Sequence, residues 1–284
     1  MSMLVSVYLA THDRVELLSR AVDSVLQQTY PHIELVIAND GSSDGTRDYL
    51  DALQRREARV RVLHNPGSLG APRARNRAIQ AARGALITGL DDDDRFHPER
   101  IAGLVDHWQL HGSRYCCSYT QDHLVWSDRS QLTKKPETVT ADELFFFNSI
   151  GNQVFTRRDF LLDAGLFDAG MPAWQDLDLF IRLLRRFGPA KLLDRGLYYL
   201  NLQQHGARIS SGSRQRILNA YSRLLRKHVQ MPPAMKQGLY LQAFGPLYET
   251  RLGHRDVKEF FSHGVHARPL KRLAGLLLRQ AFSP

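Results

Sequence analysis

At 284 residues with 43% hydrophobic content, the chain can bury a full core as one large domain or as one domain with an appendage, and its composition does not indicate disorder. Its two cysteines, Cys116 and Cys117, are adjacent, which excludes a disulfide framework and zinc-ligand spacing and points to a reducing compartment. The net charge of +9 is local: residues 212–284 hold 13 Lys or Arg against 3 Asp or Glu, while residues 1–211 hold 25 against 26.

In chain order, Leu4-Val5-Ser6-Val7-Tyr8-Leu9 predicts a strand, and Leu17, Leu18, Ala21, Val22, Val25 and Leu26 recur at helical spacing. Ile33 to Ala38 is a second strand, followed by the turn and cap sequence Asn39-Asp40-Gly41-Ser42-Ser43-Asp44-Gly45 and a helix from about Thr46. Val60 to Leu63 is a third strand, Ala74 to Ala82 a helix, and Ala85-Leu86-Ile87-Thr88 a fourth strand. A later strand is expected at Leu197 to Leu200. Such alternation predicts an α/β fold whose mostly parallel, Rossmann-like sheet is flanked by helices, with ligands at the carboxyl ends of the strands.

The fourth strand runs into Gly89-Leu90-Asp91-Asp92-Asp93-Asp94. Four neighbouring carboxylates repel one another unless a cation sits among them. Hard divalent ions such as Mg²⁺ and Mn²⁺ suit carboxylate oxygens and, in phosphate chemistry, share their shell with the substrate's phosphates. A solvated acidic turn leading into the helix near Pro98 is the plainer alternative.

These pieces stand in the order of a known family. Val5 to Arg14, Ser24 to Pro31, Glu34 to Thr46, Asn65 to Gly70, Ala74-Arg75-Asn76 and Leu90 to Asp94 together resemble a family 2 glycosyltransferase of the GT-A fold, of the bacterial surface-polysaccharide or lipopolysaccharide type. The resemblance covers about residues 3–211. It implies a domain over 1–211, nucleotide-binding to about residue 110 and acceptor-side from about 111, followed by a basic helical extension over 212–284. The implied donor is a nucleotide diphosphate-sugar and the acceptor a saccharide or lipid-linked hydroxyl.

Position by position, Ala10, Thr11 and Arg14 resemble the first nucleotide-contacting loop, and Asp40 the carboxylate that binds the base. An acceptor at Asp40 suits the N3–H of uracil or thymine, so UDP or dTDP is expected over GDP; Asp40-Gly41 equally suits a turn. Arg73, Arg75 and Asn76 are expected over the ribose or diphosphate. Asp91 and Asp93 resemble the two acids of the DXD motif, with Asp93 the expected direct ligand of Mn²⁺ or Mg²⁺. The run of four leaves the register open by one and keeps Asp92 and Asp94 as nucleotide-sugar contacts.

Further on, Trp174-Gln175-Asp176-Leu177-Asp178 resembles the segment in which an acidic pair precedes an aromatic-rich helix. Asp176 takes the position of the general base, and inversion at the anomeric carbon is the implied outcome. Gln175 stands where the family commonly has Glu, which leaves Asp178 in competition and keeps a catalytically inactive sugar-nucleotide-binding relative as the alternative. N-capping is the plain structural use of both acids. His205 and Arg208 resemble a loop that closes on the diphosphate. Trp174, Phe145, Phe146 and Phe147 suit either an acceptor cleft or the core.

The tail segment Arg268 to Arg279 combines leucines with basic residues, and Leu270, Leu273 and Leu277 share a face. It suits either an anionic inner-membrane surface or docking on the protein's own domain. No recognisable nucleic-acid module accompanies the charge, so no nucleic-acid partner is expected. With no apolar run long enough to span a bilayer, the expected location is cytoplasmic, peripheral to the inner face of the membrane if the tail binds lipid.

Overall fold

Side chains of the first strand, β1 (Val5–Thr11), alternate between two hydrophobic cores, one on each face of a central sheet. Val5, Val7 and Leu9 meet Leu18, Val22 and Val25 of α1 (Val15–Leu26), Leu50 and Leu53 of α2 (Thr46–Arg56), and Ile101 and Leu104 of α4 (Arg100–His111). Tyr8 points into the other core, with Ala74, Ala78 and Ile79 of α3 (Ala71–Ala81) and Leu177, Ile181 and Leu184 of α7 (Gln175–Phe187). The computed structural model describes residues 3–203, 214–244 and 250–282.

The remaining strands are β2 (Ile33–Asn39), β3 (Val60–His64), β4 (Leu86–Asp91), β5 (Arg95–Phe96), β6 (Cys117–Val125), β7 (Ser130–Leu132), β8 (Thr138–Val139), β9 (Phe155–Arg157) and β10 (Ala190–Asn201). They line up in the order β3-β2-β1-β4-β9-β6-β10-β5, with β7 on β6 and β8 on β10. β9 is antiparallel to both its neighbours and β5 is antiparallel to β10, while β3, β2, β1, β4, β6 and β10 run one way. This is the mostly parallel α/β sheet expected. The short strands β5, β7, β8 and β9 had no sequence signal, because two or three residues carry no readable period.

Two boundaries moved. Helix α3 begins at Ala71 rather than Ala74: Gly70 takes a φ of 88° that turns the chain, and Pro72 falls in the first turn, where its missing N–H is not needed. Strand β10 begins seven residues before Leu197, through a register shift against β6.

The other helices are α5 (Ala141–Leu144), α6 (Arg158–Asp163), α8 (Arg214–Lys227), α9 (Pro233–Gln242), α10 (His254–Ser262) and α11 (Ala267–Phe282). The basic extension is not loosely tethered. Ile217, Tyr221, Leu224, Leu239, Tyr240, Phe260 and Leu273 join the same core as Tyr8 and α7. Helix α11 docks through buried Pro269 and Leu273, whereas Leu277, Leu278 and Phe282 are 40%, 60% and 84% exposed. Leu277 lies on the helix face of Leu270 and Leu273, as expected, but is exposed where they are covered. Among the described residues no helix is long and apolar enough to cross a membrane.

Candidate active site at the strand ends

The parallel strands deliver their carboxyl ends to one rim. Register sets Ala10 beside Asp91 and Ala38, and buried Thr11 beside Asn39. Gly89 is required just before the acidic run: a Cβ there would run into the Gln153 amide and the Tyr8 ring.

The four aspartates are partnered by side chains from other elements. Asp91 accepts from Arg75 at 2.9 Å, Asn152 at 2.8 Å and Gln153 at 3.2 Å. Asp92 and Asp93 share Arg14, whose Nη1 lies 3.1 Å from one carboxylate and 3.3 Å from the other. Burial pushes Asp92 up to about 6 against the pull of Arg14. Asp94 is buried and accepts from the Tyr198 hydroxyl at 2.7 Å, the Asn201 backbone N–H at 2.8 Å and Asn152 at 3.2 Å. Burial raises it well above the ordinary carboxylate range. Its oxygens serve the junction of the acidic turn with β10.

Two further candidate residues are engaged within the protein. Asp40 is buried, and its carboxylate accepts four hydrogen bonds from the 65–70 loop: Asn65 Nδ2 at 2.7 Å, Ser68 Oγ at 2.9 Å, Leu69 N at 2.9 Å and Gly70 N at 2.8 Å. These donors hold it below the usual carboxylate range against the opposing effect of burial. These four donors fill the acceptor positions of Asp40 and fix the 65–70 loop against it. Asn76 likewise clasps the backbone of Phe167, donating to its carbonyl at 2.8 Å and accepting from its N–H at 2.9 Å. It pins α3 to the loop before α7, using one of its two amide N–H donors to do so. Arg73 is exposed on α3. Arg75 lies inward, between Asp91 and Asp176 and 5.5 Å from the Phe167 ring. His205 and Arg208 lie outside the described residues.

Asp176 stands in the first turn of α7, two residues after Trp174, whose φ of 56° is left-handed and turns the chain sharply into the helix. It is only partly accessible. Burial pushes it up to about 6, with Asp91 adding to the rise and the backbone N–H of Leu177 and the Arg75 charge opposing it. Asn148 donates to its Oδ2 at 3.2 Å. Asp178 is of a different kind: fully buried, it pairs with Arg182 at 2.8 Å and Lys227 at 2.7 Å. That separates two acids the sequence left in competition. Gln175 donates to the Met171 carbonyl at 3.2 Å and is buried. Of the four aromatics, Phe145 is core, Trp174 is nearly covered, Phe146 lies under Arg268 and Phe147 is exposed near Arg272.

Sequence reading missed Asn148, Asn152, Gln153 and Tyr198, which touch Asp176, Asp91 and Asp94. The run Asn148-Ser149-Ile150-Gly151-Asn152-Gln153 has the composition of any turn, so its amides carried no separate signal.

Among the described residues no three His, Cys, Asp or Glu side chains converge as a ready-made metal site. The donor chemistry nonetheless fits Mg²⁺ or Mn²⁺, which ordinarily take one or two carboxylates and draw the rest of their shell from phosphate and water. Asp93, with Asp91 in the same turn, offers that pair.

Comparison with known proteins agrees with this fold. The family model "Glycosyl transferase family 2" matches residues 6–161. A putative colanic acid biosynthesis glycosyl transferase of Escherichia coli, WcaA, is 33% identical over 231 residues, covering 79% of this chain and 81% of its own. A putative teichuronic acid biosynthesis glycosyltransferase of Bacillus subtilis, TuaG, is 32% identical over 152 residues, 52% of this chain and 59% of its own. In fold the chain is similar to S. aureus TarS 1-349 in complex with UDP-GlcNAc, with a TM-score of 0.69, 16% identity and coverage of 92% of this chain and 79% of that one. It is also similar to a mannosyltransferase from Pyrobaculum calidifontis in complex with GDP-Man and Mn²⁺, with a TM-score of 0.65, 15% identity and coverage of 99% and 81%. With the motifs, the sheet order and these relatives in agreement, the chain belongs to glycosyl transferase family 2.

Proposed function

We propose that this glycosyltransferase moves a sugar from a nucleotide diphosphate-sugar to an acceptor hydroxyl in cell-surface polysaccharide or lipopolysaccharide synthesis, inverting the anomeric carbon by single displacement. The observation that carries this is the setting of Asp176: a partly covered carboxylate at a helix start, raised to about 6, facing Arg75 and the first acid of the strand-end run. A base of that strength is mostly ionised at neutral pH and still binds a proton well.

In the reaction the acceptor oxygen attacks the anomeric carbon, its proton passes to Asp176, and the bond from that carbon to the diphosphate oxygen breaks with the charge leaving on the nucleotide. Arg75 offsets the repulsion between Asp176 and Asp91, and the Arg14 guanidinium is within reach of an anion approaching Asp92 and Asp93. Mn²⁺ or Mg²⁺ held by Asp93 and Asp91 would neutralise charge on the departing diphosphate. No donor base or sugar follows from these residues.

For the setting, the exposed Leu277, Leu278 and Phe282 beside exposed Lys271 and Arg279 support contact of the end of α11 with an anionic membrane surface, where a lipid-linked acceptor would be met.

Calorimetric titration with UDP, dTDP and GDP, each with Mn²⁺ and with chelator, tests the donor site, and Asp176→Asn tests the base. Transfer is expected to fall about 10²-fold or more while nucleotide binding is kept; full turnover in that variant would remove Asp176 from the role.

A further inference from the structure

One loop joins Asp176 to the C-terminal helices. Asn148 donates from Nδ2 to Asp176 at 3.2 Å and to the Gly151 carbonyl at 2.8 Å, and Gly151 N–H returns to Asn148 Oδ1 at 3.2 Å. The amide is thereby fixed in one orientation, its nitrogen toward Asp176.

The loop's backbone is in turn fastened to the extension. Asn148 N–H donates to Gln242 Oε1 at 3.1 Å, and Gln242 Nε2 donates to the carbonyls of Leu144 at 2.8 Å and Phe145 at 3.1 Å. Arg272 of α11 donates to the Phe146 carbonyl, and the Arg268 guanidinium lies 3.9 Å from the Phe146 ring centre. Gln242 is nearly covered, so water does not readily replace its bonds. A purely structural clasp would end at the loop backbone, but this one continues through the Asn148 side chain to a carboxylate at the site.

Resting on the reading of Asp176 as the base, we infer that Asn148 is a positioning residue for Asp176 and that Gln242, from the C-terminal extension, holds Asn148 in place for that purpose. The extension then helps to orient the reacting group as well as to complete the core. Other groups facing Asp176 are Arg75 from α3, Asp91 from β4 and Tyr8 from β1, and none of them is altered by changes at 148 or 242.

The test is a ¹³C-carboxyl NMR titration of the full chain labelled at aspartate, with the Asp176 resonance assigned by its loss in Asp176→Asn. A donor to the ionised carboxylate favours that form, so Asn148→Ala and Gln242→Leu should each move the Asp176 midpoint up by about half a pH unit or more. Turnover of UDP-GlcNAc and GDP-Man as probe donors should fall in kcat with KM unchanged, and Asn148→Ser, which keeps a shorter donor, should recover part of the shift. An unmoved midpoint in both Asn148→Ala and Asn148→Ser at wild-type Tm would overturn the positioning role. A shift in Asn148→Ala but none in Gln242→Leu would overturn the link to the extension. Shifted midpoints together with full turnover in Asp176→Asn would refute the base while upholding the coupling.

Discussion

Arg75 donates to Asp91 at 2.9 Å from the neighbouring helix and also faces Asp176, so one guanidinium joins the donor-side acid to the candidate base. Replacing it with leucine removes the cation that favours ionised Asp176 and leaves Asp91 to oppose ionisation. The acid limb of kcat/KM in Arg75→Leu should therefore move above its wild-type midpoint, with kcat/KM at pH 7 reduced about 10-fold or more. A limb at the wild-type position would show that Arg75 does not act on Asp176.

In the wild type, transfer should rise with pH through about 6, where Asp176 ionises, and level off above it. Stability should run the other way. The folded state binds the Asp176 proton more tightly than the unfolded chain does, so this residue's contribution falls as pH rises from 3.8 to about 6. Asp176→Asn should accordingly show a higher Tm than wild type at pH 7.5 and a smaller difference at pH 4, by calorimetry.

Asp178, two residues on, should respond oppositely. Asparagine there leaves Arg182 and Lys227 beside a fully buried neutral group, and breaking a buried pair costs about 3 kcal/mol or more. Urea unfolding of Asp178→Asn should show that loss while nucleotide binding by the folded fraction persists.

Asp40→Ala strands the donors of Asn65, Ser68, Leu69 and Gly70. The expected loss is about 2 kcal/mol or more by urea unfolding, accompanied by faster amide exchange in the 65–70 loop. Because the clamp depresses this carboxyl, its contribution is present above pH 3.8 and fades as pH falls below that value. Equal nucleotide affinity in Asp40→Asn and wild type would agree with a positioning role.

Leu278→Ser with Phe282→Ser should weaken flotation with phosphatidylglycerol vesicles several-fold without changing Tm, since both side chains lie outside the core. Unchanged flotation would leave the end of α11 without a lipid role.

Much of the architecture was legible because buried parallel strands and amphipathic helices write their periods into the chain. Residues 4–9 stood out as an apolar strand, and Leu18, Val22 and Val25 along α1 announced their face before any contact was known. The acidic run, Asp40 and Asp176 were visible as polar residues at strand and helix ends. Their individual uses were not. Asp91, Asp92, Asp93 and Asp94 are the same residue type at consecutive positions, and only the arrival of Arg75, Arg14 and Tyr198 from other elements tells Asp91, the Asp92–Asp93 pair and Asp94 apart.

The sequence by itself determined the fold family, the rim that carries the chemistry and the basic character of the tail, because each depends on local pattern and composition. Tertiary structure alone decided which of Asp176 and Asp178 is accessible, that Asp40 and Asn76 hold loops, and that Gln242 reaches Asn148 from 94 residues away. Those outcomes depend on where a hydrogen-bond donor from a distant element comes to rest, and residue identity along the chain does not encode that distance.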